Sequence, residues 1–246
     1  MVTITVCTQK GGVGKTTTAT TIAAGIARKG YKVLAIDLDP QHNLTAVSAA
    51  VMIPYTIADV LNGRPTAEAI RNTAQGFDLL PGSLELSTAP EGYSLDGLRG
   101  VIEDIQGVYD YCVIDTPPAL SILTMSALAV SDSVIIPAHA DTLSLYGLDQ
   151  IQETIEAVRP YNEGLCIAGV LLTEYNPRRN VQKTMRDTIE AKAQDMGAHV
   201  FNTTIRSGTA VQEAQLLRQD LFAYAPRAAV TLDYEEFIKE LLKGAK

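Results

Sequence analysis

The sequence predicts an α/β protein: a mostly parallel, twisted sheet covered by helices on both faces. Apolar strand-like runs alternate with helical patterns along the chain, and the runs are apolar on both faces, as strands buried between two helical layers are. Successive runs also stop at Asp37 and Asp115, and ligands of such sheets bind beyond the carboxyl ends of the strands.

The elements follow in order. Residues 2–7 alternate β-branched and apolar side chains and read as the first strand. A Gly-rich turn follows, and residues 16–28 then carry Ile22, Ala23, Ile26 and Ala27 at helical spacing. Residues 32–36, 111–114 and 133–136 read as further strands, the last stopping at Pro137. Helical patterns cover residues 95–105, 120–130 and 143–158, before another buried strand at 165–172. Residues 77–93, rich in Pro, Gly and Ser, are expected to form a surface excursion. No repeat or low-complexity linker divides the chain, so one domain over residues 1–246 is expected.

Composition narrows the function. With 46% apolar and 20% charged residues the chain has the balance of a folded globular protein. No apolar run approaches the roughly 20 residues needed to span a bilayer. The N-terminus opens into a strand without a secretory signal, so a cytoplasmic protein is expected. Cys7, Cys112 and Cys166 lie in strand-like runs without metal or disulfide spacing and read as buried small hydrophobes. The net charge of −8 excludes a surface coated in positive charge, so any nucleic-acid contact must come from a local patch.

The strongest motif is Lys10-Gly11-Gly12-Val13-Gly14-Lys15-Thr16-Thr17, set where the first strand turns into the first helix. There, backbone N–H groups and the helix dipole can hold a polyphosphate, the glycines letting the backbone approach. Lys15 would reach the β- and γ-phosphates, and the Thr16 hydroxyl would ligate Mg²⁺. The loop departs from the usual pattern: Gln9 stands where glycine is usual, and a second lysine, Lys10, opens it. In this it resembles the deviant Walker-A P-loop of the ParA and MinD ATPases. That resemblance implies ATP or ADP with Mg²⁺ as ligands, and it implies that Lys10 crosses a dimer interface to the partner's nucleotide. A cation brought in trans stabilises charge on the transferring group only when two subunits meet, which couples dimerisation to hydrolysis.

Three carboxylates fit the same engine. Asp37 and Asp39, two apart at a strand end, can both point toward the phosphates. By resemblance Asp39 positions the attacking water, with Asp37 supporting the metal shell or switch geometry. Asp115, followed by Thr116-Pro117-Pro118, has the arrangement of a Walker-B carboxylate that holds Mg²⁺. Thr173-Glu174-Tyr175-Asn176-Pro177 resembles the family segment whose Asn contacts the adenine, which carries that role to Asn176. Where relatives have Ile-Pro, this chain has Ile205-Arg206.

The resemblance extends to residues 56–63, Leu145-Tyr146-Gly147-Leu148 and the C-terminal helix, and so covers nearly the whole chain. It implies slow ATP hydrolysis, an ATP-bound homodimer, non-specific DNA binding, nucleoid association and a ParB-like centromere-binding partner that stimulates turnover. The local DNA candidates are Arg178, Arg179, Lys183 and Arg186; on a helix starting near Arg178, positions 179, 183 and 186 share a face. Ala210 stands where the family pattern places another arginine. The phosphate loop lies too close to the N-terminus for a preceding helix-turn-helix, so direct operator recognition is not expected. A MinD-like membrane ATPase is the rival reading, since Tyr234, Phe237, Ile238, Leu241 and Leu242 form an apolar stripe. Glu235, Glu236 and Glu240 beside it favour packing against the core instead. An ATPase positioning a protein cargo stays open as a third class.

Overall fold

The computed structural model describes residues 1–48, 54–88 and 93–244. Strand β1 (Val2–Val6) leads through the Gly-rich loop into helix α1 (Lys15–Ala27), followed by β2 (Val33–Asp37). Short helices α2 (Asn43–Ser48), α3 (Ile57–Leu61) and α4 (Thr66–Ala69) precede β3 (Arg71–Asn72) and β4 (Asp78–Leu80). Then come α5 (Arg99–Ile105), β5 (Tyr111–Asp115), α6 (Ile122–Ala129), β6 (Ser133–Ala138), α7 (Thr142–Val158) and β7 (Cys166–Leu172). The chain closes with α8 (Asn180–Asp195), α9 (Thr209–Leu216), α10 (Leu221–Tyr224) and α11 (Ala229–Gly244).

Among the described residues the strands form one seven-stranded sheet in the order β3-β4-β2-β5-β1-β6-β7. Every pairing is parallel except β3 with β4. Side chains alternate across such a sheet, and here both sets are apolar. Val33 and Ala35 of β2, Val113 of β5 and Ile135 of β6 face a core shared with α1 and α11. Leu34, Ile36, Cys112 and Ile114 face the layer of α3, α5 and α6, while Val134 and Ile136 face that of α7 and α8. Helices thus cover both faces, as the two-sided apolar runs require. Polar side chains that must act together are left the strand ends.

The structure changes four expectations. The strand at 133–136 does not stop at Pro137 but runs on to Ala138. Ile135 C=O accepts from the Cys7 amide, so Pro137, two residues on, turns its donorless nitrogen to the same side, where β1 has already ended. The surface excursion begins as core: Phe77, Leu79 and Leu80 are buried and β4 pairs with β2. Its apolar run is too short for a periodicity to show, and residues 89–92 lie outside the described residues. The helix expected from residue 95 begins at Arg99. Cys7 and Cys112 are buried, but Cys166 opens β7 at the surface.

The C-terminal stripe packs inward. Tyr234, Phe237, Ile238 and Leu241 are buried against α1, where Gly25 makes room: a Cβ there would lie 2.1 Å from Ile238 Cδ1. Among the described residues no helix is long and apolar enough to cross a membrane. Phe237 is fully buried and stacks edge-on against Phe201, ring centroids 4.9 Å apart. Truncating it to alanine is expected to remove about 3–5 kcal/mol of stability, read as a lower urea midpoint; a change below about 1 kcal/mol would place α11 outside the cooperative core.

Candidate functional site

The loop between β1 and α1 owes its shape to glycine. Gly12 and Gly14 take φ of 75° and 80°, a region that a side chain disfavours. Gly14 caps α1 without any side-chain hydrogen bond. The first-turn amides of α1 have no intrahelical acceptor and, with the helix dipole behind them, favour an anion. From the far side Thr173 braces the loop, its hydroxyl donating to Val13 C=O at 2.9 Å. Above lies a cavity of about 540 Å³, lined at this end by Lys10, Gly11, Gly12 and Gly14 to Thr17.

Strand register supplies the charges. Val6 of β1 pairs with Asp115 of β5, and Asp115 with Asp37 of β2, so both carboxylates lie in one row at the carboxyl ends of adjacent strands. Lys15 Nζ lies 2.9 Å from Asp115 Oδ1 and 3.7 Å from Asp39 Oδ2, and the Thr16 hydroxyl donates to Asp115 Oδ2 at 2.7 Å. Asp39 and Lys15 line the cavity; Asp115 lies fully buried beneath them. Asp37 is also fully buried, and its carboxylate accepts from the Thr45 amide and hydroxyl at 2.8 and 2.7 Å and from the Asp39 amide at 3.2 Å. It therefore stands behind the other carboxylates and braces the turn that carries Asp39.

Burial and the charge of Asp115 push the Asp37 carboxyl up to about 7. Burial raises Asp115 too, against the pull of Lys15. For Lys15, burial works against the ammonium, but Asp115 and Asp39 outweigh it and hold the group above its ordinary value. The donors presented here, a hydroxyl and carboxylates, are hard oxygens that suit Mg²⁺. Among the described residues no cluster of three or more His, Cys, Asp or Glu could enclose an ion alone. An ion held by Thr16 and Asp115 would complete its shell with phosphate oxygens and water, as Mg²⁺ ordinarily does.

Comparison with known proteins places the chain in a family. The family model described as an AAA domain matches residues 1–167. The chain is 34% identical to the chromosome-partitioning ATPase Soj of Thermus thermophilus, over 97% of this chain and 94% of that one. It is 33% identical to the chromosome partitioning protein ParA of Caulobacter vibrioides, over 97% and 93%. The chain belongs to the ParA/MinD family of ATPases. Among solved structures, cobyrinic acid a,c-diamide synthase from Mycobacterium smegmatis, with a bound ATP analogue and magnesium, superposes with a TM-score of 0.85 at 27% identity, covering 99% of this chain and 95% of that one.

In this ParA/MinD member Lys10 stands at the cavity mouth but folds back within its own chain. Its ammonium pairs with Asp141, the N-cap of α7, and lies 3.4 Å from the Ser144 hydroxyl. Burial works to raise Asp141, but hydrogen bonds from Lys10 and Ser144 outweigh it and hold the carboxyl below its usual range. Leu120, two residues after the cavity-lining Pro118, and Leu143 and Tyr146 on α7, the helix that Asp141 caps, are exposed.

Asn176 does not line the cavity. It is exposed, and its Oδ1 accepts from the Arg178 amide at 3.0 Å in a turn before Pro177 and α8. The wall on that side is formed instead by Glu174, held at φ 50°, and by residues 205–209. That turn also delays α8 to Asn180, leaving Arg178 outside the helix and Arg179 as its N-cap. Arg179 and Lys183 are exposed one turn apart, while Arg186 is half-buried with its guanidinium 5.9 Å from the Tyr175 ring centroid. Sequence reasoning missed Thr45, Asp141 and Thr173. Each is a common polar residue whose role exists only once the fold brings Asp141 and Thr173 to the loop and Thr45 to Asp37.

Asp37 yields a test of this geometry. Its carboxyl keeps a proton up to about pH 7 in the fold but releases it near 3.8 when free, so its contribution to stability weakens as pH rises through that window. Asp37→Asn keeps an acceptor for Thr45 and carries no charge. In nucleotide- and metal-free protein it is expected to gain stability relative to wild type between pH 5 and 8; a pH-independent difference in urea midpoints would show that Asp37 does not titrate there.

Proposed function

We propose that residues 1–246 form one Mg²⁺-dependent ATPase domain that dimerises around ATP, grips DNA non-specifically in that state and is released by hydrolysis, in plasmid or chromosome partition. Lys10 at the mouth of the cavity carries the reading. The phosphate end is already furnished by Lys15 and the α1 amides, so a second loop lysine, paired here with the α7 cap Asp141, suits a neighbour's phosphates. Leu120, Leu143 and Tyr146, exposed on segments that adjoin the cavity-lining Pro118 and the Lys10 partner Asp141, suit a surface covered by a second copy.

In this reading the amides from Gly11 to Thr17 cradle the phosphates, and Lys15 leaves its carboxylates for the phosphate oxygens. Thr16 and Asp115 hold Mg²⁺, which neutralises charge on the phosphates. Asp39 orients the attacking water, with Asp37 bracing it. Lys10 of the partner completes the site, and turnover is slow until it does so. DNA phosphates are met by Arg179 and Lys183, with Arg178 and Arg186 beside them, in a contact that high salt weakens. The setting is cytoplasmic and nucleoid-associated, and a ParB-like protein is the stimulating partner. Burial of the α11 stripe speaks against lipid binding.

Two substitutions separate binding from turnover. Lys15→Ala is expected to weaken ATP at least about tenfold in calorimetry, whereas Lys10→Ala binds ATP but loses at least about 10²-fold in hydrolysis and no longer dimerises on sizing columns. A dimeric, fully active Lys10→Ala protein would remove its role in trans.

The partner is tested with Asp39→Ala, which is expected to bind ATP and stall as a dimer. It should co-sediment with plasmid DNA in ATP but not ADP at low salt, and not with anionic liposomes; Arg179→Glu with Lys183→Glu should abolish retention and leave the dimer intact. Retention on liposomes alone would move the function to membrane positioning, and retention on neither to a protein cargo.

A further inference from the structure

His139 is the first residue past β6, and its backbone is held at the start of α7. Its amide donates to the Ser144 hydroxyl at 3.1 Å, and its carbonyl accepts from the Asp141 amide at 2.9 Å. The ring is thereby set beside the ion pair that Lys10 makes. Nδ1 lies 4.0 Å from Asp141 Oδ2, the same oxygen that the Lys10 ammonium holds. At its other edge Nε2 lies 3.8 Å from Oε2 of Glu174, which follows β7 and lines the cavity. Nε2 is itself buried and has no hydrogen-bond partner among the described residues.

A neutral imidazole has one N–H and one lone pair, whereas the protonated ring donates from both nitrogens. With a carboxylate at each edge, this ring stands where a second cation would be held, and two effects oppose it. The charged groups that act on it are Lys10 from the phosphate loop, Asp141 from the cap of α7 and Glu174 from the segment after β7. Burial, and next the Lys10 ammonium, hold the imidazole below its ordinary value of 6.5, against the pull of Glu174 and Asp141. Burial persists whatever Lys10 does. The Lys10 charge is removable, because its pair with Asp141 is partly open to solvent. Once it leaves, both carboxylates face His139 without a competing cation, which favours the charged ring.

We propose that His139 is the positioning residue of the Lys10 exchange: as Lys10 leaves Asp141 for the partner's nucleotide, the ring takes up a solvent proton and bridges Asp141 and Glu174 in its place. The inference rests on the reading of Lys10 as acting in trans. One cation replaces another at the cap of α7, so Asp141 is never left without a counterion. Each subunit then binds more protons in the dimer than alone. The state that binds more protons gains as pH falls, so ATP-dependent association strengthens from neutrality down toward the value that His139 holds in the monomer. A rising pH acts in reverse: the ring loses its proton, and Lys10 returns to Asp141.

Two measurements on the full chain test this. In nucleotide-free protein the three histidine ring signals are titrated by NMR, that of His139 being assigned by its loss in His139→Gln. The His139 midpoint is expected below 6.5 in wild type and higher in Lys10→Gln; a midpoint that does not rise overturns the proposal. Association with Mg²⁺ and a non-hydrolysable ATP analogue is then followed by sedimentation. Wild type is expected to dimerise at least about tenfold more tightly at about pH 6 than at about pH 7.5. His139→Gln keeps a donor and an acceptor but takes no proton, and it should lose most of that dependence. Should it not fold, His139→Asn carries the same expectation. An equal pH dependence with and without the imidazole would assign the protons to other groups and sink the proposal. Wild type that stays monomeric at every pH, while Lys10→Gln still raises the His139 midpoint, would instead overturn the in-trans reading, and the proposal with it.

Discussion

The site depends on one buried charge cluster. Lys15 Nζ, with 8% of its side chain exposed, lies between Asp115 and Asp39, with 0% and 6%. Removing each such charge from water costs several kcal/mol, so each survives only because its partner is in place. That places a strict demand on the backbone. The strand register must bring Asp115 level with Val6, and Gly12 and Gly14 must bend the loop so that α1 starts directly over the carboxylates. The cluster is also unbalanced. One ammonium faces Asp39 and Asp115, with Asp37 behind them kept partly protonated near neutrality by burial and by Asp115. A divalent cation brought with a polyphosphate suits such a site because it supplies charge that the protein withholds.

Lys10 presents the opposite case. Its pair with Asp141 is partly open to solvent, 42% at the carboxylate side chain, and an ion pair so placed contributes no more than about 1 kcal/mol. Lys15 is embedded and Lys10 is only parked. Two lysines five residues apart thus differ in how firmly they are held, because one lies above a fully buried carboxylate and the other beside a half-exposed helix cap. In the proposed dimer the pair is easily exchanged for a partner's triphosphate, which offers more negative charge to the same ammonium.

Much of this was legible in the sequence, for a physical reason. The loop, the aspartates at strand ends and the two-sided apolar strands are local patterns whose geometry follows from a strand meeting a helix. The inward packing of α11 was legible too, because glutamates flank its stripe. What escaped were features fixed by tertiary neighbours. Pro137 sits in a strand because β1 ends before reaching it. β4 is a strand because β2 offers it an edge. Asn176 is a different case: its oxygen accepts from the Arg178 amide two residues on, a local turn that the Asn-Pro pair itself allows.

The two ends of the cavity are therefore built by different physics. At the phosphate end, side chains are set by sheet register and desolvation, so a change there disturbs the fold and the charge balance together. At the other end the wall is peripheral chain, tied by Arg206 to Asp233 and by Asn202 and Thr203 to Glu240 of α11. These ties join α11 to a segment that itself pairs along the edge of β7 through the Phe201 and Ile205 amides. The Arg206 side chain is 57% exposed and lines the cavity, so its replacement falls on the cavity wall more than on the core. In the proposed function the phosphate contacts are set by sheet register and burial, while the rest of the cavity wall is held by side-chain ties beside the sheet edge.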